Sequence, residues 1–113
     1  NSYDVIFCNH ILEHVKHDDR AIQELYRVLT PGGVLFITVP NPYRFRQTHD
    51  WGFPDPDNYD HYRMYGRDFY AKLIQLLPEG AVNAHKLRDP VGFDKHDIVF
   101  EIIKQENHDE RQA

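Results

Sequence analysis

Two short apolar runs stand out in the first forty residues. Tyr3–Asn9 reads Tyr-Asp-Val-Ile-Phe-Cys-Asn, and residues 34–40 read Val-Leu-Phe-Ile-Thr-Val-Pro. Nearly continuous apolar runs of this length suit strands buried on both faces, as in a parallel sheet covered by helices. Between them Ile22, Leu25, Tyr26 and Leu29 recur at helical spacing and predict an amphipathic helix over residues 18–29. Asp18 is placed to cap that helix, Asp19 suits the positive end of its dipole, and Thr30-Pro-Gly-Gly should stop it. Strand, helix, strand with short links predicts a βαβ unit, hence a parallel pair with a right-handed crossover.

Residues 41–65 carry several prolines, seven aromatics and no clear period. A loop this long inside a compact domain is usually functional. The pattern turns helical again over residues 66–77, with Phe69, Leu73, Leu76 and Leu77 on one face and Pro78-Glu-Gly as the stop. Two more strands are predicted, a weak one over residues 83–88 and a stronger one over residues 97–104. The turn-forming Asp89-Pro-Val-Gly-Phe-Asp separates them. Residues 1–104 thus read as one α/β domain with a polar, fraying tail at residues 105–113.

Composition narrows the function. A formal charge of -5 gives no general affinity for nucleic-acid backbone, which needs clustered Lys and Arg. No apolar stretch approaches the roughly 20 residues of a membrane span, and no signal peptide is visible. Cys8 is the one cysteine, so no intramolecular disulfide forms; it reads as a core residue in a reduced, cytoplasmic setting. Eight histidines raise the question of metal. His10-Ile-Leu-Glu13-His14 spells H-x-x-E-H, in which two histidines one helical turn apart bind zinc while Glu activates water. That chemistry needs a continuous helix and a further ligand, whereas here the motif follows a strand directly. A zinc hydrolase is therefore a minor alternative. His14 with His17, and His96 with Asp97, are expected in solvent, and no metal site is expected.

Taken in order, Asp4-Val-Ile-Phe, Leu12-Glu-His-Val and Glu24-Leu-Tyr-Arg-Val-Leu-Thr-Pro-Gly-Gly-Val-Leu-Phe-Ile-Thr-Val-Pro resemble the class I S-adenosylmethionine-dependent methyltransferases. The likeness runs from Tyr3 to about Asn41 and continues more weakly through Asp60-His-Tyr-Arg-Met-Tyr-Gly to the last strands. It implies the fourth strand onward of a Rossmann-like sheet, mostly parallel with an antiparallel last strand and helices packed on it. The expected spatial order is first, second, fourth, third, with residues 98–104 reversed between their neighbours.

The resemblance also implies the site. Ligands of open α/β sheets bind beyond the carboxyl ends of the strands. By likeness, cofactor-side roles fall on Asn9, His10, Leu12 and His14. Acceptor-side roles fall on Pro40, Asn41, Tyr43 and Arg63, the last for an acidic substrate group. His61 and Tyr62 are the candidate base or acceptor-orienting residues within the loop at residues 41–65, which would cover the site. The family's glycine-rich cofactor loop is not seen, since Gly32-Gly33 precede a strand rather than follow one. The chain is accordingly expected to be the C-terminal half of the domain and to bind S-adenosylmethionine poorly alone. Its acceptor would be a small molecule or glycan-like. The competing reading is a non-catalytic methyltransferase-like module. In the half-domain the far edge of Tyr3–Asn9 is unpaired, which predicts a homodimer built on that strand.

Overall fold

Strand β1 (Tyr3–Asn9) runs parallel to β2 (Leu29–Thr38), with Val5, Ile6, Phe7, Cys8 and Asn9 beside Val34, Leu35, Phe36, Ile37 and Thr38. The structure, a computed structural model, describes residues 2–88 and 96–106. The β1–β2 register shifts between Tyr3 and Val5, because β2 begins earlier than the pattern predicted and takes in Thr30-Pro-Gly-Gly. Gly33 makes that close approach possible: a Cβ there would lie 2.8 Å from the Thr30 carbonyl oxygen and 3.0 Å from that of Asp4. Helix α1 (Asp18–Arg27) correspondingly ends two residues short of the predicted Leu29. Leu29 is already strand, buried in the core and opposite Tyr3.

The main sheet has the order β1-β2-β6-β5, with β6 (His96–Ile103) antiparallel both to β2 and to β5 (Val82–Arg88). The reversed strand lies between its neighbours, as the family resemblance implied. Three of the four strands share one direction. The turn over residues 89–94, the side chains of His96 and Asp97, and the tail over residues 107–113 lie outside the described residues.

Both α-helices, α1 and α2 (Asp68–Leu76), lie on one face of this sheet. Ile22 of α1 and Phe69 and Leu73 of α2 join Leu35, Ile37, Phe100 and Ile102 in a single buried cluster. Side chains alternate across a strand, so the opposite face carries Val5, Phe7, Val34 and Phe36. Phe7 is 74% exposed and stacks on Phe36 with ring centroids 5.3 Å apart. The expectation of strands covered on both faces is therefore corrected: among the described residues only one face is covered. Cys8 does point into the core, and its thiol is pushed up to about 11 by burial first and the charge of Glu13 second.

Residues 41–65 are not a featureless loop. Strands β3 (His49–Asp55) and β4 (His61–Met64) form an antiparallel ribbon, placing Asp50 opposite Arg63 and Asp55 opposite His61. Short 3-10 turns flank β3. In one, the Asn41 side chain accepts from the Tyr43 N–H at 3.0 Å; in the other, Asp55 accepts from the Asp57 N–H at 3.1 Å. Tyr59 and Asp60 complete the hairpin with left-handed φ of 59° and 61°. Gln105 is also better held than its polar surroundings suggested, donating from Nε2 to the Glu79 carbonyl oxygen at 2.7 Å.

Candidate functional site at the carboxyl ends of the strands

The carboxyl ends of β1 and β2 are tied side by side. The Thr38 hydroxyl donates to the Asn9 side-chain oxygen, and the His10 N–H to the Thr38 carbonyl oxygen at 3.0 Å. His10 then takes a left-handed φ of 52° and turns the chain sharply out of the sheet. Leu12–His14 forms one 3-10 turn, ended where the Val15 N–H reaches the Leu12 carbonyl oxygen. Asn9, His10 and His14 are exposed along this edge, while Leu12 is 1% exposed and belongs to the core. Leu12, Ile11, Cys8, Phe7, Val15 and Leu25 also line an open apolar hollow of about 340 Å³. The side chain of Leu12 thus forms part of the core and of the hollow's apolar wall.

Arg63, placed on the acceptor side by resemblance, is 2% exposed and fully engaged with protein. Its Nη1 donates to the carbonyl oxygens of Leu12 at 2.8 Å and Val15 at 2.6 Å, and its Nη2 to that of Lys16 at 2.9 Å. Its Nε donates to Asp50 at 3.0 Å, with Asp18 3.6 Å away. The planar fork of donors matches this set of oxygens and leaves little for a substrate. Arg63 is therefore corrected from substrate ligand to strap: it fastens the ribbon to the turn that follows β1.

Asp18 is corrected as well. The cap position of α1 belongs to His17, which makes no side-chain cap bond, and Asp18 is the first helical residue. Its buried carboxylate accepts from the Tyr65 hydroxyl and from Lys72 Nζ at 2.7 Å. Burial is the largest single influence and pushes this carboxyl up. The hydrogen bonds from Lys72 and Tyr65 and the charges of Lys72 and Arg63 outweigh it, holding the group below its ordinary 3.8. Burial and the same Asp18 contact drive the Tyr65 phenol far above its ordinary range.

The strap carries His61 and Tyr62 onto the turn. The Tyr62 ring is half-buried, 5.7 Å from the Arg63 guanidinium carbon. The His61 ring meets that of His14 edge-on, centroids 4.4 Å apart. Burial first, and His14 second, hold His61 below the ordinary 6.5, so its ring is neutral near pH 7. Glu13 lies beside both rings, with one ligand atom from each of Glu13, His14 and His61 within 4.8 Å of the others. His10 is not in this group, and the H-x-x-E-H run spans a strand end and a single 3-10 turn. The continuous helix that the peptidase motif needs is absent from these residues.

Of the remaining expected residues, Pro40 is half-buried just beyond β2, Asn41 is engaged in capping its turn, and Tyr43 is exposed. Sequence reasoning brought Asn9, His10, His14, His61 and Tyr62 to one end of the sheet. It missed the pairings of the buried Asp18 and Tyr65, the half-buried Lys72 and the exposed Asp50. Their pairings span 13 to 54 residues of chain, beyond the reach of any local pattern.

Comparisons with known proteins bear on the family and the fold. A family model described as a methyltransferase domain matches residues 1–77. A mouse protein named mitochondrial ubiquinone biosynthesis O-methyltransferase is 46% identical over 39 residues, 34% of this chain and 10% of that protein. A solved S-adenosylmethionine-dependent methyltransferase from Methanosarcina mazei superposes with a TM-score of 0.54 at 18% identity, covering 94% of this chain and 61% of that one. The 1,6-didemethyltoxoflavin-N1-methyltransferase of Burkholderia thailandensis, solved with 1,6-didemethyltoxoflavin and S-adenosylhomocysteine, gives 0.54 at 16% identity over 91% of this chain and 44% of that one. At such identities the structural likeness is one of fold, and the chain spans only part of each relative. With the family match covering more than half of its residues, the chain belongs to the methyltransferase domain family.

Proposed function

We propose that this chain supplies the later strands and the acceptor-side ribbon of an enzyme that moves a methyl group from S-adenosylmethionine to a small-molecule acceptor. The observation that carries this is the Arg63 strap, which holds a histidine- and tyrosine-bearing ribbon against the carboxyl ends of β1 and β2. The exposed Asn9, His10 and His14, beside an apolar hollow walled by Ile11 and Leu12, fit a cofactor with both polar and flat apolar parts. When bound, the cofactor supplies an electrophilic methyl group on a sulfonium.

The protein's own work is chiefly positioning. The ribbon excludes water from the strand ends. Pro40, Asn41 and Tyr43 edge the acceptor side, and His61 and Tyr62 orient the acceptor. Proton removal, where the accepting atom needs it, falls to His61 or Tyr62. One relative is named for an O-acceptor and another for an N1-acceptor, so family membership leaves the accepting atom open. Because β1 has one neighbouring strand among those described and Phe7 is exposed, the same reading covers its free edge with a second copy of the chain.

Incubating the enzyme to which these strands belong with methyl-labelled S-adenosylmethionine and a panel of small hydroxyl- and amine-bearing compounds should label product, and Tyr62→Phe or Asn9→Ala should slow labelling. Cofactor binding with no transfer to any acceptor would favour the non-catalytic reading. Because no glycine-x-glycine follows any strand, titration of the isolated 113 residues should give weak or absent cofactor binding. A low-micromolar dissociation constant would contradict that.

A further inference from the structure

Where the ribbon crosses the turn after β1, three side chains from two distant segments converge, and two of them each bury one polar atom without a hydrogen bond. Glu13 is 1% exposed, and its Oε1 is buried with no hydrogen bond. The Nδ1 of His61 is buried without one too. His14, exposed, closes the group through its edge-on contact with His61. A buried acceptor without a donor forfeits its solvation, at about 1–3 kcal/mol and more for a charged group. Arg63, the cation of this region, is engaged with the backbone carbonyls and Asp50.

We infer that Glu13, His14 and His61 form a binding site for a divalent transition-metal ion of the zinc class. Two imidazoles and one carboxylate are the donor set of borderline ions, whereas magnesium and calcium favour oxygen alone. The candidate ligand atoms lie within 4.8 Å of one another. Metal–ligand distances of about 2.0–2.2 Å set tetrahedral ligands about 3.4 Å apart, so the atoms must draw together by up to about 1.4 Å. Rotation of the exposed His14 ring supplies part of that.

The ion would satisfy both orphaned atoms at once and bridge the ribbon to the turn, a second fastening beside Arg63. Three protein ligands leave a fourth position to water. With the ion in place His61 is a ligand, and any proton removal from the acceptor passes to Tyr62. This set differs from the H-x-x-E-H motif in using His61 instead of His10. It stands on the cluster alone, whichever acceptor the enzyme serves.

The test is metal binding, measured apart from methyl transfer. Protein stripped by chelator is titrated with zinc by calorimetry and with cobalt(II) by visible absorption. One ion per chain is expected, with a tetrahedral cobalt spectrum and a zinc-dependent rise in Tm. His61→Ala and Glu13→Gln should each weaken binding by about tenfold or more, while His10→Ala and His17→Ala stay within about twofold. Circular dichroism checks that each variant is folded, and His61→Asn replaces His61→Ala if the latter is not. The inference is overturned if no stoichiometric ion binds, if binding survives loss of His61 but not of His10, or if no single variant matters.

Discussion

Arg63 Nη1 donates to the carbonyl oxygen of Leu12 at 2.8 Å across 51 residues of sequence. That contact, with those to Val15 and Lys16, makes the turn after β1 and the ribbon a single mechanical unit. The Val15 N–H closes the 3-10 turn on the Leu12 carbonyl oxygen, and the guanidinium adds a second donor there and takes up the carbonyls of Val15 and Lys16 just beyond it.

Arg63→Leu should therefore destabilise the protein by about 3–5 kcal/mol, since it takes one of the two cations from beside the buried Asp18 and a donor from each of three carbonyl oxygens. Arg63→Lys keeps the charge but not the fork and should recover only part of that. Urea unfolding measures both, and a loss below about 1 kcal/mol for the leucine variant would show that the strap matters little.

Asp18 makes stability depend on acid. Its folded pKa lies below 3.8, so its contribution is fully present above that value and is lost as pH falls through the lower folded value. Melting curves between pH 7 and pH 2 should fall less steeply for Asp18→Asn, which starts less stable at pH 7. Tyr65→Phe, which removes the hydroxyl donated to Asp18, should cost about 1–3 kcal/mol at neutral pH. Parallel acid profiles for native protein and Asp18→Asn would refute the assignment.

The main sheet was legible because its signals are local or topological. The nearly continuous apolar run at Tyr3–Asn9, the 3.6-residue spacing in α1 and the short links between them leave few arrangements open, and resemblance placed β6. The ribbon was not legible: β3 carries Gly52 and Pro54 with little alternation, and capping by Asn41 and Asp55 stands in for apolar burial. Arg63 was misread for a related reason. A buried guanidinium answering backbone carbonyls leaves no trace in periodicity, and in the bare sequence it looks like a free cation. Asp18 looked like a cap because its partners Tyr65 and Lys72 are 47 and 54 residues away.

Gly66 sits where the ribbon passes into α2. A Cβ there would come within 2.4 Å of the Gln47 carbonyl carbon, with the Gln47 oxygen and nitrogen at 2.6 and 2.7 Å. Backbone cannot swing aside as a side chain can, so Gly66→Ala should cost at least about 1–3 kcal/mol and loosen the ribbon. Hydrogen exchange should show faster exchange over residues 45–68; unchanged protection would mean that the junction yields without consequence.

Self-association through β1 should respond to Phe7→Lys. Phe7 is exposed, whereas Ile6 packs against the core and would report on folding instead. Sedimentation should show a dimer or larger species for the native chain and a monomer for the lysine variant. A native monomer at high concentration would end the idea.

The reversed β6 also fixes an order of events during synthesis. It lies between β2 and β5, so each of those strands lacks its β6 partner until residues 96–103 have left the ribosome. Until then the nascent chain presents two open edges, one on each strand, waiting for the same segment. Protection of that interval falls to chaperones or to speed, and a chain halted at residue 95 should be cut by protease at both edges while the finished one resists.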